Sequence, residues 1–308
     1  MILMNRRAGL LLPAVAVASL ILAGCTALAA GQGGAGGGAA TGVQVLASFY
    51  PLQYVAQQVG GDLVHVSSLT PPGAEPHDVE LSPRQVRSVG EADLVVYLSG
   101  FQSAVDQAIA ARRPAHVVDA AKVADLVAWP DGQHAGSALD PHFWLDPHRL
   151  ARLAAPVAAA LAAADPGHAD TYTANGAALA ASLGSLDAEF QAGLATCERH
   201  VVITSHEAFG YLADRYHLKQ VGISGLDPEA EPSPARLKEI RALVRADGVT
   251  TIFSERLVNP KVAKTLASDL NVTAAVLDPV ESLVDPSSDY RDVMRKNLVV
   301  LRAALGCT

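Results

Sequence analysis

Three histidines sit in local settings that could aim an imidazole at a shared target: His77 in GAEPHDVELSP (73–83), His142 in DPHFWLDP (140–147) and His206 in TSHEAFGY (204–211). In DPHFWLDP each proline biases the aspartate before it away from helix. A stiff, extended loop is therefore expected to aim His142, with a helix opening near His148. One histidine beside Phe143 and Trp144 would ordinarily be a packed or surface residue; its recurrence in two similar settings points to ligands. With Asp278 of VLDP (276–279) the set becomes three imidazoles and one carboxylate. Such a nitrogen-rich, borderline-soft set suits tetrahedral zinc, whereas manganese more often recruits a second carboxylate. The members are scattered from position 77 to position 278, so only a fold can assemble them.

The remaining histidines have plain readings. His65 and His116 fall within expected strands, His148 and His168 at helix starts, and His200 and His217 read as structural or solvated. His134, in WPDGQHAG (129–136), is set apart only by its place just before His142. Enzyme signatures are missing: His206-Glu207 opens like a zinc-protease motif, but Gly210 stands where the second histidine is required. There is no GxxxxGK[ST] phosphate loop and no GxSxG elbow.

The elements that must position these residues alternate. Strands are expected at 43–48, 63–69, 93–98 and 115–118, with helices near 51–59, 82–91 and 102–112. Ser82-Pro83 supplies the N-cap and first-turn proline of a helix start. An Ala- and Leu-rich stretch, 148–196, follows without strand signal and is broken at Pro166-Gly167. Its second part, at 1.5 Å per residue, would span roughly 40 Å. Strands resume at 200–204, 218–223, 249–253 and 272–277, with helices near 207–216, 233–246, 260–269 and 288–304. The predicted fold is α/β, with two lobes of four parallel strands flanked by helices and joined by one long helix. Ligands of such sheets bind beyond the carboxyl ends of strands. His77 lies in the loop after strand 63–69, His206 and Asp278 follow strands directly, and His142 follows the fourth strand through a longer loop, which places the site in the interlobe cleft. The corresponding division is 43–167, 168–196 and 197–308.

Residues 1–24 hold no acidic residue, carry Arg6 and Arg7, and run apolar from Leu10 to Leu22. This reads as an export signal, too short for a stable span. The ending LAGC matches the lipobox whose cysteine, here Cys25, becomes the lipidated first residue and holds the protein at a membrane surface. Residues 29–42 are almost wholly Gly and Ala, a flexible tether. The formal charge of −8 becomes two units more negative once Arg6 and Arg7 leave, which argues against nucleic acid as a partner. Cys197 and Cys307 remain; an even remainder in an exported chain points to a disulfide, with two free thiols the alternative.

Taken together, FYPLQYVAQQVGG, PHDVELSP, EADLVVYLSG, DPHFWLDP, TSHEAFGYLADRYHL, GLDPEAEPSP and VLDP make the mature chain resemble the cluster A-I solute-binding lipoproteins of bacterial ABC transporters, which capture zinc or manganese. The resemblance implies metal ligands at His77, His142 and His206, with a fourth at Asp278, a position where that family also uses Glu or water. It implies an extracytoplasmic, lipid-anchored monomer that delivers metal to a permease driven by a separate ATPase. DPEAEPSP and the histidine at 206 look more like the zinc members; manganese members tend to carry Glu at that third position. One departure is the segment before the second ligand, where 129–141 holds only His134, Asp131 and Asp140 instead of a long His-rich loop. In the resemblance Cys197 and Cys307 look like a disulfide pinning the last helix to the second lobe. An adhesin would look identical in sequence. A secreted zinc hydrolase could use three histidines and an open fourth position, but no general base or nucleophile motif accompanies them.

Overall fold

The computed structural model describes residues 42–128 and 139–308. The expected signal peptide, Cys25 and most of the tether, together with His134, lie outside the described residues.

The first half runs β1 (Val43–Ala47), α1 (Tyr50–Gly60), β2 (Val64–Ser68), α2 (Pro83–Glu91), β3 (Leu94–Tyr97), α3 (Ser103–Arg112) and β4 (Val117–Asp119). All pairs are parallel, in the order β2-β1-β3-β4. Val45, Ala47, Leu94 and Val96 are buried, as strands covered on both faces require. Helix α2 starts where Ser82-Pro83 predicts: Ser82 Oγ accepts from the Gln85 N–H, and the Gln85 side chain accepts from the Ser82 N–H, a reciprocal capping box.

The Ala-rich stretch forms α4 (Pro147–Ala151), α5 (Ala154–Ala164) and α6 (Ala169–Leu194). Helix α6 has 26 residues, or about 39 Å at 1.5 Å per residue. It buries Tyr172, Gly176, Leu179, Leu183, Leu186, Phe190 and Leu194, one stripe at spacings of three or four residues. At Gly176 a Cβ would meet the Ala154 carbonyl and the Ala158 methyl at 3.2 Å, so glycine lets α5 and α6 approach closely.

The second half repeats the first: β5 (Val201–Thr204), α7 (Gly210–Arg215), β6 (Lys219–Gly222), α8 (Pro234–Ala246), β7 (Thr251–Ser254), α9 (Lys261–Leu270) and β8 (Thr273–Val276). Its parallel order is β6-β5-β7-β8, matching the first sheet position for position. The final helix, α10 (Tyr290–Leu305), packs on α6. Its first residue reaches the first half, where the Tyr290 hydroxyl donates to the Trp144 carbonyl and its ring stacks on Tyr54. Residues of both halves share one continuous apolar cluster, from Val43 through Trp144 and Phe190 to Leu305. Cys197 and Cys307 form a disulfide across a sequence separation of 110, tying the end of α10 to the segment before β5.

Candidate metal centre

His77 lies on the long connection from β2 to α2. Gln102 holds that connection from inside, its Nε2 donating to Thr70 Oγ1 and to the Pro76 carbonyl at 3.0 Å each. The Glu75 carboxylate accepts from the His77 N–H at 2.8 Å. The ring of His77 packs edge-on against Phe101.

His142 enters through DPHFWLDP, which forms a short 3-10 turn, Phe143–Leu145, before α4. Asp140 Oδ1 accepts from the His142 N–H at 2.9 Å and lies 2.7 Å from His142 Nδ1, so Nε2 faces the cleft. Asp146 caps α4 by accepting from the His148 N–H. The expected extended loop is therefore tighter, because the three apolar residues after His142 coil inward to bury Phe143, Trp144 and Leu145.

His206 follows β5 directly, and α7 opens only at Gly210. Glu255, just after β7, meets it twice: Oε1 accepts from the His206 N–H at 3.1 Å, and Oε2 lies 2.6 Å from His206 Nδ1. A carboxylate this close to Nδ1 leaves Nε2 to the cleft, the arrangement found behind metal-bound imidazoles.

Glu281, not Asp278, is the carboxylate that joins the three rings. Donor atoms of His77, His142, His206 and Glu281 all lie within 4.8 Å of one another. Nε2 of His142 is 3.2 Å from that of His77 and 3.3 Å from that of His206. Glu281 Oε1 is 3.4 Å from His77, 3.2 Å from His142 and 3.5 Å from His206. Zinc bound to nitrogen and oxygen at about 2.0–2.1 Å in a tetrahedron requires donor separations of about 3.3–3.4 Å. These five distances bracket that value. Glu281 Oε2 is buried with no hydrogen-bond partner, a costly state that a cation would relieve.

Asp278, the fourth ligand expected from the sequence, is turned elsewhere. Its Oδ1 accepts from the Val280 N–H at 2.9 Å and its Oδ2 lies 3.0 Å from Arg256 Nε. An aspartate bonding to the backbone two residues on closes a local turn. Here the turn carries the chain round so that the residue three further on reaches the cleft. Both carboxylates were visible in LDPVES, but period and spacing carry no signal for which one the turn would aim.

Charge is distributed unevenly among the donors. Burial pulls His77 below the usual imidazole range. Burial also pulls His206 down, but Glu255 and Glu281 outweigh it and hold that ring well above the range. His142 is likewise raised, burial being overcome by Asp140 and then Glu281. Burial would push Glu281 up, yet the three imidazoles hold it well below the usual carboxylate range. Without metal, protons on the rings balance the carboxylates; a cation at the centre would replace them.

Two matching parallel sheets, a long helix beside them and a buried pocket of three imidazoles and one carboxylate define a solute-binding protein with a site for one metal ion. The chain belongs to the zinc-uptake complex component A (ZnuA, periplasmic) family, whose model matches residues 45–304. The high-affinity zinc uptake system protein ZnuA of Bacillus subtilis is 33% identical over 279 residues, covering 85% of this chain and 88% of its own. Among solved structures, the Zn(II)-bound ZnuA-like domain of Streptococcus pneumoniae AdcA superposes with a TM-score of 0.73 at 34% identity, covering 86% of this chain and 99% of that one. The laminin-binding protein Lmb of Streptococcus agalactiae, described as having adhesin and metal transporting activity, gives 0.77 at 35% identity, covering 86% and 100%. The family is one of solute-binding components. Among the described residues no helix is long and apolar enough to cross a membrane.

Proposed function

We propose that this protein captures a zinc ion outside the cytoplasm and delivers it to the permease of an ABC transporter powered by a separate ATPase. The observation that carries the reading is that five of the six separations among three imidazole nitrogens and one carboxylate oxygen are 3.2–3.5 Å, close to the edge of a zinc-sized tetrahedron, with all four atoms within 4.8 Å of one another. Four protein donors leave no vacant position for a reacting water, which suits capture and release and not catalysis. The metal ligands in this reading are His77, His142, His206 and Glu281. Manganese is disfavoured because the next carboxylate along the chain, Asp278, is engaged by Arg256 and its own backbone.

All four donors come from one chain, so a monomer suffices. The lipobox LAGC supports anchoring through acyl chains on Cys25, with residues 29–42 as the tether between membrane and folded region. The folded region itself is read as a first lobe 43–167, a connecting helix 168–196 and a second lobe 197–308. Because α10 reaches back to Trp144 and α6 packs on both halves, release proceeds by rearrangement of the loops bearing His77 and Glu281, not by lobe rotation.

The test is a chelator-competition titration of the metal-stripped protein with zinc and with manganese, beside His206→Ala. Tight zinc binding, much weaker manganese binding and a large loss in the variant are expected. Preference for manganese, or full zinc affinity in His206→Ala, would refute the assignment.

A further inference from the structure

The segment that carries Glu281 is built against its own backbone preference. Val280 has φ 57°, in the left-handed region that a β-branched residue adopts only when its surroundings force it. Its side chain is 1% exposed, so the turn is locked inside the protein.

Contacts from several elements hold it there. Asp278 Oδ1 accepts from the Val280 N–H at 2.9 Å, across the turn itself. Asn297, a 3% exposed residue in the middle of α10, grips Asp278 from both sides: its Oδ1 accepts from the Asp278 N–H at 2.9 Å and its Nδ2 donates to the Asp278 carbonyl at 2.6 Å. Trp144 Nε1, from the segment that presents His142, donates to the Pro279 carbonyl at 2.8 Å. Arg256 pairs with Asp278 Oδ2, leaving Oδ1 to the backbone. The turn is thereby fixed to α10 and to the opposite half of the site at once.

We propose that Asp278 and Asn297 are positioning residues for the metal ion, which hold the Val280 turn in its left-handed form so that the turn holds Glu281 against the three histidines. This rests on the metal-capture reading above. Neither residue belongs to the group of donor atoms. Without them, Val280 relaxes to a negative φ, the following peptide rotates, and Glu281 leaves the centre while the histidines stay. Positions that orient a ligand in this indirect way typically govern metal affinity by 10- to 100-fold.

The experiment measures zinc affinity by chelator competition, and the cobalt(II) absorption spectrum as a report on four-coordination, with thermal melts to confirm folding. Asp278→Ala and Asn297→Ala are expected to weaken zinc binding about 10- to 100-fold and to diminish the four-coordinate cobalt bands. Asp278→Asn keeps an accepting oxygen for the Val280 N–H and should recover most of that loss. Adding Val280→Gly to Asp278→Ala should also recover it, because glycine takes positive φ without steric cost. The proposal is overturned if Asp278→Asn is as damaging as Asp278→Ala, since the carboxylate charge would then be acting on the metal. It is equally overturned if both alanine variants bind zinc within about twofold of wild type, or if Val280→Gly gives no rescue. His206→Ala serves as the control: zinc affinity unaffected by that substitution sinks the capture reading, whereas loss there with none in Asp278→Ala sinks the positioning role alone.

Discussion

His206 Nδ1 lies 2.6 Å from Glu255 Oε2, with both side chains withdrawn from solvent. The carboxylate sits behind the ring, on the side away from the other donors, so it orients the imidazole without competing for the cation. Replacing it by an amide keeps the shape and removes the charge. Glu255→Gln is expected to lower zinc affinity about 10- to 100-fold in chelator competition. An unchanged affinity would show that packing alone orients His206.

Acidity works through the same rings. His206 is held well above the ordinary imidazole range, its burial outweighed by Glu255 and Glu281, which favours the protonated ring in the metal-free protein and sets zinc in competition with that proton. Calorimetry in buffers of different ionisation enthalpy should show proton release on binding at pH 7. Affinity should fall as pH drops through the raised values of His206 and His142, and fall further where His77, held below the ordinary imidazole range, also gains a proton. The sign for stability is opposite. A raised histidine stabilises the metal-free fold below its unfolded value of about 6.5, and that contribution is lost as pH rises through the folded value.

Asp187 on α6 accepts from Arg215 Nε at 3.0 Å and Nη2 at 2.6 Å, and from the Tyr216 hydroxyl at 3.1 Å. Burial alone would raise its pKa, but Arg215 and then Tyr216 more than offset this and hold it below the usual carboxylate value. A depressed carboxylate stabilises the fold above its unfolded pKa, near 3.9, and the contribution disappears as pH falls through the folded value. Arg215→Ala should therefore cost roughly 2 kcal/mol at pH 7 in urea unfolding, discounted for the solvent reaching Arg215. The difference from wild type should shrink under strong acid. A constant gap down to the lowest pH would assign the loss to packing.

Reducing the Cys197–Cys307 bond frees a chain segment spanning 110 positions. The chain-entropy model gives an upper value of roughly 4–5 kcal/mol for a loop of that size. Cys197→Ser with Cys307→Ser should lower Tm by roughly 10 °C. Zinc affinity should hold, because the disulfide lies before β5 and after α10, away from the strand ends that carry the ligands. A loss of affinity without a change in Tm would contradict this placement.

Local chemistry was enough to determine the two α/β halves and the long helix, and together with the family resemblance it singled out the three histidines that the fold brings together. Alternating strand and helix patterns are set by neighbours in sequence, and Ser82-Pro83 starts a helix wherever the chain places it. His77, His142 and His206 stand out because prolines and strand ends constrain the backbone around them. The fourth donor was decided by tertiary structure. Asp278 and Glu281 are both carboxylic acids, three residues apart, and what separates them is Val280, held at φ 57° in a turn fixed by contacts from α10 and from the His142 segment. Glu255 was hidden for the same reason: it lies 49 positions from His206 and meets it only because β5 and β7 are neighbours in the sheet. A backbone conformation imposed from distant elements leaves no periodic trace in the residues that adopt it, so this part of the site exists only in the folded chain.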